Sequence, residues 1–360
     1  MTTILIASAP EEGGGVYEFV TEAGDAAGFR RDRPVDGGDL RQVAGVTGLA
    51  CLQPHPTLPV VYGLSSADQS WLYCWDHASP GSWKPVARME LPSPGVAAAV
   101  TPDGARLAVA NYHTAQVSVT DLDAEGLPGV LRTVTLDGSG PDEERQESAH
   151  PHHVLDRDGR WLVTDLGADC LWELESRDLT VVSHSALPAG SGPRHAAVID
   201  AESVAVSGEL DVTAMLVAPG RSRPAVVSRS SAGSEGRGPI ANAATRTSAN
   251  AASRTSSADT AARTYPSDIA WHPAGFVIIA NRGADTLGVL RRSGDRLELI
   301  SETGSGGAWP LNMHLTGDLL YVANRDSDTV AVFHFSPSTA ALTPVGAIDV
   351  PRPTWVCGLA

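Results

Sequence analysis

Charged side chains recur at one position of a strand–turn–strand unit that is repeated along the sequence. The residue after the first predicted strand of the unit is charged in three consecutive copies, at Glu209, Arg282 and Arg325. The loops between copies add five more polar groups: Arg145, His150, His152, Arg194 and His195. Arginines clamp carboxylates or phosphates with paired N–H donors. A neighbouring His or Glu can move a proton or activate water, and fixed donors stabilise an oxyanion. These residues therefore predict a site for a small anionic ester or lactone.

Each of these residues also has a structural explanation. A buried arginine can tie two repeat units together, and Glu209 can be the salt-bridge partner of Arg194 or Arg282. The histidines at 150, 152 and 153 suggest a metal, but no carboxylate or cysteine stands at ligand spacing, so an ordinary polar loop is favoured. We expect no metal and no cofactor. The sequence leaves the choice of a base open between Glu209, His150 and His152.

Seven copies of one unit must position these side chains. Each copy has a short apolar strand, a turn, and a second strand of alternating apolar residues, which is a period of two. The first of these strands is predicted at 4–8, 60–64, 107–111, 162–166, 204–208, 277–281 and 320–324. Most copies have a further strand just before, and Asp158-Gly159 is a tight-hairpin signal between two such strands. The spacing predicts an all-β chain of four-stranded blades that close into a seven-bladed β-propeller.

The two ends of the chain are predicted to share a blade. The first copy lacks a preceding strand, whereas residues 353–359 resemble an isolated first strand. Pairing the two would leave no open edge in the ring. If the strands of a blade are a to d from the channel outward, the d–a and b–c loops lie at the same mouth. The charged residues above all fall in those loops, where function is commonly found.

Composition excludes several classes of protein. The chain has 360 residues, a net charge of −16, and 36 Gly and 25 Pro, which favours many turns over a helical bundle. Its acidity argues against nucleic acid and anionic membranes as partners. No apolar run reaches the roughly 18–20 residues of a membrane span, and no basic segment precedes the first apolar residues, so we expect a cytoplasmic protein. The four distant cysteines are expected to be free thiols. We expect one domain and a monomer or weak homo-oligomer.

Residues 221–264 differ from the rest of the chain. Seven arginines face two acidic residues there, which gives this stretch a charge of +5 and the remainder about −21. The stretch is rich in Ala, Ser, Thr and Arg and lacks sustained periodicity, so it is predicted to be a flexible surface insertion.

A set of motifs at these positions resembles the lactonase family of seven-bladed propellers from about residue 45 onward. The motifs are Gly138-Ser139-Gly140-Pro141, Glu144-Arg145-Gln146-Glu147, His150-Pro151-His152, Gly192-Pro193-Arg194-His195, Gly208-Glu209-Leu210, Ala280-Asn281-Arg282-Gly283 and Ala323-Asn324-Arg325-Asp326. Together they form a specific set, although each alone is weak. Two departures are visible: Gly208 stands where the family commonly has Asn, and Arg325 stands where an uncharged amide is frequent.

The resemblance implies hydrolysis of a sugar-acid lactone, best represented by 6-phosphogluconolactone, in carbohydrate metabolism. The motifs also resemble those of the related fungal muconate cycloisomerases, in which the acting groups look like a His, two Arg and a Glu. These carry over onto His152 or His150, Arg194, Arg282 and Glu209. The sequence therefore supports three hypotheses: a lactonase, a cycloisomerase acting on a dicarboxylate, and a non-catalytic propeller that binds a protein or an anionic metabolite.

Overall fold

The computed structural model describes residues 2–21, 38–65, 70–79, 83–220, 226–233 and 263–359. Twenty-eight strands form seven four-stranded antiparallel sheets. Blade 1 contains β28 (Pro353–Leu359), β1 (Thr2–Ser8), β2 (Gly15–Thr21) and β3 (Gly38–Gly45). Blade 2 contains β4 (Leu49–Pro54), β5 (Val60–Ser65), β6 (Trp71–Asp76) and β7 (Lys84–Glu90). Blade 3 contains β8 (Gly95–Val100), β9 (Arg106–Asn111), β10 (Gln116–Leu122) and β11 (Pro128–Thr135).

The remaining blades follow the same order along the chain. Blade 4 contains β12 (Pro151–Arg157), β13 (Arg160–Asp165), β14 (Cys170–Glu175) and β15 (Val181–Ala186). Blade 5 contains β16 (Pro193–Val198), β17 (Val204–Gly208), β18 (Thr213–Val217) and β19 (Val226–Ser231). Blade 6 contains β20 (Tyr265–His272), β21 (Phe276–Arg282), β22 (Thr286–Ser293) and β23 (Arg296–Gly304). Blade 7 contains β24 (Pro310–Thr316), β25 (Leu319–Asn324), β26 (Thr329–Ser336) and β27 (Ala341–Asp349).

The predicted seven-bladed propeller is confirmed. Each innermost strand contacts the innermost strands of the two neighbouring blades, so β28, β4, β8, β12, β16, β20 and β24 form a closed ring. One apolar cluster fills each of the seven interfaces between blades. The second and third strands of a blade are packed on both faces, which explains continuous apolar runs such as β5. The outer strands face solvent and alternate, as β7 does.

The ring closes in blade 1, by the predicted pairing of the two ends of the chain. β28 pairs with β1 in antiparallel register, with Ile4 opposite Gly358, and β1 pairs in turn with β2. The Thr354 hydroxyl donates to the Leu49 carbonyl of blade 2 at 2.7 Å. The hairpin predicted at Asp158-Gly159 is also present, because both residues have positive φ (54° and 78°), as a type I′ turn requires.

The predicted insertion at 221–264 includes residues that belong to blade 5. Residues 226–231 form β19, which pairs with β18 and completes blade 5. An outer strand needs little apolar content because one face is open to solvent, so its composition resembles that of a loop. The central part of the predicted insertion, residues 234–262, lies outside the described residues.

The buried carboxylate of Asp268 links neighbouring blades around the channel. Asp268 on β20 accepts hydrogen bonds at one oxygen from the His195 ring and the Ile269 amide, both at 2.8 Å. Its other oxygen accepts from the Asn312 side chain and the Met313 amide, both at 2.7 Å. Asn312 in turn accepts from the Val356 amide at 2.8 Å. The chain of bonds therefore runs through blades 5, 6, 7 and 1.

We expect Asp268→Asn to destabilise the protein by about 2–4 kcal/mol. All four partners are donors, so an amide NH2 would face two of them without an acceptor. Equilibrium unfolding in urea measures the change, with the exposed Asp349→Asn as the control that removes the same charge. Equal stability of the two variants would contradict the assigned bonding.

Candidate active site

The charged residues converge at one mouth of the channel. Glu209 begins the loop after β17, and Arg282 ends β21, which is the equivalent strand of blade 6. Arg194 lies at the start of β16, and Arg145 lies in the loop before β12. The Glu209 amide donates to the Gly192 carbonyl at 2.9 Å, and the Leu210 amide donates to Ser191 at 3.1 Å. These bonds fasten the Glu209 loop to the loop that carries Arg194.

Glu209 is bound by three arginines. Its Oε1 accepts from Arg145 at 2.7 Å, and its Oε2 accepts from Arg282 at 2.6 Å. The Arg194 Nε lies 3.1 Å from the same Oε2. The Glu209 side chain is 4% exposed and that of Arg194 is 7%, whereas that of Arg145 is 38% exposed. Three cations thus surround one anion, which leaves an excess of positive charge at the mouth.

Electrostatics fix the charge states of this cluster. Burial opposes ionisation of Glu209, but Arg282, Arg194 and Arg145 outweigh it and hold the pKa of the carboxyl well below its usual range. Burial and the neighbouring Arg282 lower the pKa of Arg194 to about 9, so it stays charged at neutral pH. Arg194 also donates from Nη1 to the Ser267 carbonyl of blade 6 at 2.6 Å. Both predicted roles of these arginines are therefore compatible: they tie blades together and present cations.

The two candidate histidines have different environments. The nitrogens of His150 are both engaged, one with the Tyr112 carbonyl at 3.0 Å and the other with Glu147 at 3.1 Å. The Nδ1 atom of His152 is buried and has no hydrogen-bond partner in the part of the chain that the structure describes. Burial, with Arg194 and His195 nearby, lowers the pKa of His152 well below its usual value. His152 is therefore neutral at neutral pH, which leaves one ring nitrogen unprotonated.

The structure places His195 and Arg325 apart from the Glu209 cluster. The His195 ring is buried, stacks on His153 at 4.5 Å between centroids, and bonds to Asp268 as described above. Arg325 pairs with its neighbour Asp326 at 2.8 Å and lies 5.3 Å from the ring centre of Trp309. Among the described residues, no group of three or more His, Cys, Asp or Glu is arranged to hold a metal ion.

Tyr112 is a site residue that the sequence reasoning passed over. Its ring stacks on His150 at 4.4 Å between centroids and meets His152 edge-on at 5.5 Å. Tyr112 also interacts electrostatically with Arg145. Tyr112 occupies the same repeat position as Glu209 and Arg282, so the signal was present. It was missed because only charged residues at that position were considered.

Aspartates with positive φ support three of the loops at this mouth. Asp169, Asp285 and Asp328 have φ of 49°, 55° and 53°, a conformation that Asp tolerates better than most residues. Asp169 accepts from the amides of Gly190 and Gly192, ahead of Arg194. Asp285 accepts from the Trp309 amide, and Asp328 accepts from the Arg352 amide, both at 2.8 Å. Each of these b–c loops therefore holds the loop that leads into the next blade.

Gly208, which departs from the family pattern, is explained by its surroundings. A Cβ at this position would lie against the side chains of Asp211 and Thr213. These two residues bond to each other at 2.5 Å. In blades 3, 6 and 7 the equivalent Asn side chain donates to carbonyls of nearby loops. In blade 5 the Asp211–Thr213 pair occupies the space that an Asn would need.

A cavity of about 850 Å³ lies between blades 1 and 2, at the loops after β1 and β5. Its lining includes Glu11, Gln42, Trp71 and Tyr73, and the lining residues contain no arginine or histidine. The arginines and histidines that could bind an anion or stabilise an oxyanion are at the Glu209 cluster instead. We therefore place the candidate active site there.

The family model described as lactonase, 7-bladed beta-propeller, matches residues 36–357, which is most of the chain. The chain belongs to this lactonase family. The site above lies within the matched residues, and the resemblance drawn from the motifs is confirmed.

Several known proteins and solved structures are similar to this chain over much of its length. An uncharacterized protein of Lactococcus lactis subsp. cremoris is 30% identical over 255 residues, which cover 65% of each chain. The 6-phosphogluconolactonase of Bacillus subtilis is 27% identical over 261 residues, covering 69% of this chain and 68% of that protein. A solved structure from Lactobacillus plantarum has a TM-score of 0.81 at 21% identity and covers all of both chains. The matched stretch thus spans slightly less than two thirds of the first relative. In the described part of this lactonase-family chain, no helix could span a membrane.

Proposed function

We propose that this protein hydrolyses a sugar-acid lactone, with 6-phosphogluconolactone as the favoured substrate. The observation that carries the proposal is the cluster in which Arg145, Arg194 and Arg282 share the single carboxylate of Glu209, next to a neutral His152 with an unpartnered nitrogen. The excess positive charge suits an anionic substrate. The family membership and the named Bacillus relative support the same reaction. Hydrolysis needs only water as co-reactant, and a substrate of this class fits the expected cytoplasmic location.

The proposed chemistry assigns different roles to the carboxylate and the histidine. Glu209 is ionised and fully engaged, so it holds the arginines in place and is a poor base. His152 accepts the proton of a water molecule as the water oxygen attacks the lactone carbonyl carbon. N–H groups of Arg282 and Arg145 that do not face Glu209 stabilise the oxyanion. The ring C–O bond then breaks, the leaving oxygen takes the proton from His152, and the new carboxylic acid releases its proton to solvent, so that the product carboxylate remains beside the arginines.

His150 and His195 are proposed to act as positioning residues. His150 supports Tyr112, which meets both Arg145 and His152. His195 lies 5.5 Å from His152 between ring centres and is held by Asp268. Both nitrogens of His150 are engaged, and Nδ1 of His195 is bonded to Asp268. Contact with the substrate is assigned to Arg145, Arg194 and Arg282.

The purified protein is expected to accelerate hydrolysis of 6-phosphogluconolactone, and Arg282→Ala is expected to lower kcat/KM by about 10²–10³-fold, because one oxyanion donor is lost. Rates are measured above the uncatalysed hydrolysis of the lactone. Arg88→Gln is the matched control, because Arg88 is exposed and stacks on Trp71 in blade 2. A panel that includes muconates separates a lactonase from a cycloisomerase. Unchanged activity in Arg282→Ala would reject the role given to that residue.

The pH dependence tests the choice of base. Because burial and the neighbouring Arg194 hold the pKa of His152 well below 6.5, kcat/KM should stay flat as the pH falls through 6.5 and should decline only under more acidic conditions. His152→Gln should lose about 10²–10⁴-fold in rate without a matching loss of product affinity. A wild-type profile that falls with a midpoint near 6.5 would contradict the neutral buried histidine.

A further inference from the structure

Trp309 lies between two arginine side chains at the mouth. The guanidinium carbon of Arg282 is 5.6 Å from the Trp309 ring centre, and that of Arg325 is 5.3 Å from it. Arg282 also lies 5.9 Å from the ring of Tyr265. Arg282 is thus held by two aromatic rings and Glu209, whereas Arg325 contacts one ring, that of Trp309, and pairs with Asp326. The indole links the Glu209 cluster to a second cation in blade 7.

The backbone around Trp309 is built to hold this arrangement. Trp309 has a φ of 61°, which is a left-handed conformation rare for a bulky residue. Asp285 accepts from its amide at 2.8 Å, and its carbonyl accepts from the Arg325 amide at 3.2 Å. The preceding carbonyl, of Ala308, accepts from the Asp326 amide at 3.1 Å. Such strained positions cluster at ligand sites, where surrounding bonds keep them in place.

Arg325 can exchange its partner for a ligand. Its only ion pair among the described residues is with Asp326, the next residue, and the two side chains are 30% and 42% exposed. Ion pairs of this exposure contribute little energy, because both charges remain partly hydrated. Arg282 differs, since its contact with Glu209 is buried and its side chain is 11% exposed. A doubly charged group arriving from solvent can therefore compete with the Asp326 carboxylate.

We propose that Arg325 and Trp309 form a second subsite, which binds a terminal anionic group of the lactone while the reacting carbonyl lies at Arg282. The inference rests on the proposed lactone hydrolysis and names its substrate class: a six-carbon lactone with an anion at the end remote from the carbonyl. Both guanidinium carbons contact the same ring, so they are at most about 11 Å apart. A phosphate monoester is favoured over a carboxylate because its two charges displace Asp326 more effectively.

Three lactones test the subsite: neutral glucono-1,5-lactone, glucaro-1,4-lactone with a terminal carboxylate, and 6-phosphoglucono-1,5-lactone. The wild type should show the highest kcat/KM on the phosphorylated substrate. Arg325→Gln should raise KM for that substrate by about 10–30-fold and change KM for the neutral lactone by less than about threefold. Trp309→Leu should raise KM for the phosphorylated substrate as well and, because its ring also contacts Arg282, should lower kcat on all three lactones. Arg88→Gln, which removes an equal charge from another Arg–Trp stack, should leave the substrate ratio unchanged.

Calorimetric titration of 6-phosphogluconate and gluconate separates the two proposals. If the wild type hydrolyses none of the lactones, lactone hydrolysis fails, yet tighter binding of 6-phosphogluconate that is lost in Arg325→Gln still supports the subsite. If lactones are hydrolysed but Arg325→Gln leaves the ratio of phosphorylated to neutral substrate unchanged, the subsite is overturned. A preference for glucaro-1,4-lactone that depends on Arg325 would assign the subsite to a carboxylate. It would overturn the proposal that the subsite favours a phosphate.

Discussion

Glu209→Ala is expected to destabilise the protein by about 3–5 kcal/mol and to eliminate lactone hydrolysis. The substitution leaves Arg194 and Arg282, both nearly buried, facing each other without a counter-charge. The guanidiniums would then move apart or draw in an anion from the buffer. Because Arg194 also bonds to blade 6, its movement would loosen the contact between two blades.

Unfolding in urea and the lactone assay measure these two effects. Glu209→Gln keeps the shape and one acceptor oxygen, so it should recover part of the stability but not the rate. The wild type should also lose stability as the pH falls below about 4.5, because the folded pKa of Glu209 is well below that usual value and protonation favours the unfolded chain. Both variants should lack this part of the acid dependence. Wild-type stability in Glu209→Ala would show that the ion cluster is not needed for the fold.

Deletion of residues 353–360 is expected to prevent formation of the native ring. The strand β28 pairs with β1 along its length and is the innermost strand of blade 1. Trp355 and Val356 pack in the clusters on both sides of that blade. Without β28, β1 becomes an unpaired inner strand, the Val356 bond to Asn312 is lost, and two apolar interfaces open to water.

Near-UV circular dichroism and limited proteolysis detect this loss. Val356→Ala is the matched control, since it keeps the strand and removes only buried methyl groups, at a cost of about 1–3 kcal/mol. The deletion variant should be digested throughout, whereas the control should resist protease as the full chain does. A truncated protein with a cooperative thermal transition like that of the full chain would refute the closure argument.

The repeat predicted the ring, because strand period and turn residues are local properties that recur seven times. It also predicted that Glu209, Arg194 and Arg282 meet, because equivalent positions in neighbouring blades lie side by side. It did not predict which way Arg194 and His195 point. The register shifts between Pro193 and Ala196, and such a bulge reverses the faces that a period of two assigns. Sequence alternation alone cannot locate that shift.

The roles of the histidines depend on contacts that the repeat does not encode. His150 and His152 are two residues apart, yet one has both nitrogens engaged and the other has a free buried nitrogen. The difference comes from Tyr112, which belongs to blade 3, and from Glu147, which lies three residues before His150 in the same loop. The limits of the insertion were misjudged for a different reason, since β19 is an outer strand whose composition resembles a loop.

The position after the second strand of each blade carries a different side chain on a repeated backbone. It holds Tyr112, Glu209, Arg282 and Arg325 in four of the blades. The aspartates that hold the neighbouring loops in blades 4, 6 and 7 are separate residues, so the support of the mouth does not depend on which side chain stands there. A single amino-acid substitution at this position can thus change which ligand the mouth binds without altering the scaffold. Substrate preference in this architecture can diverge by point mutation, while the hydrophobic interfaces remain under a selection pressure of their own.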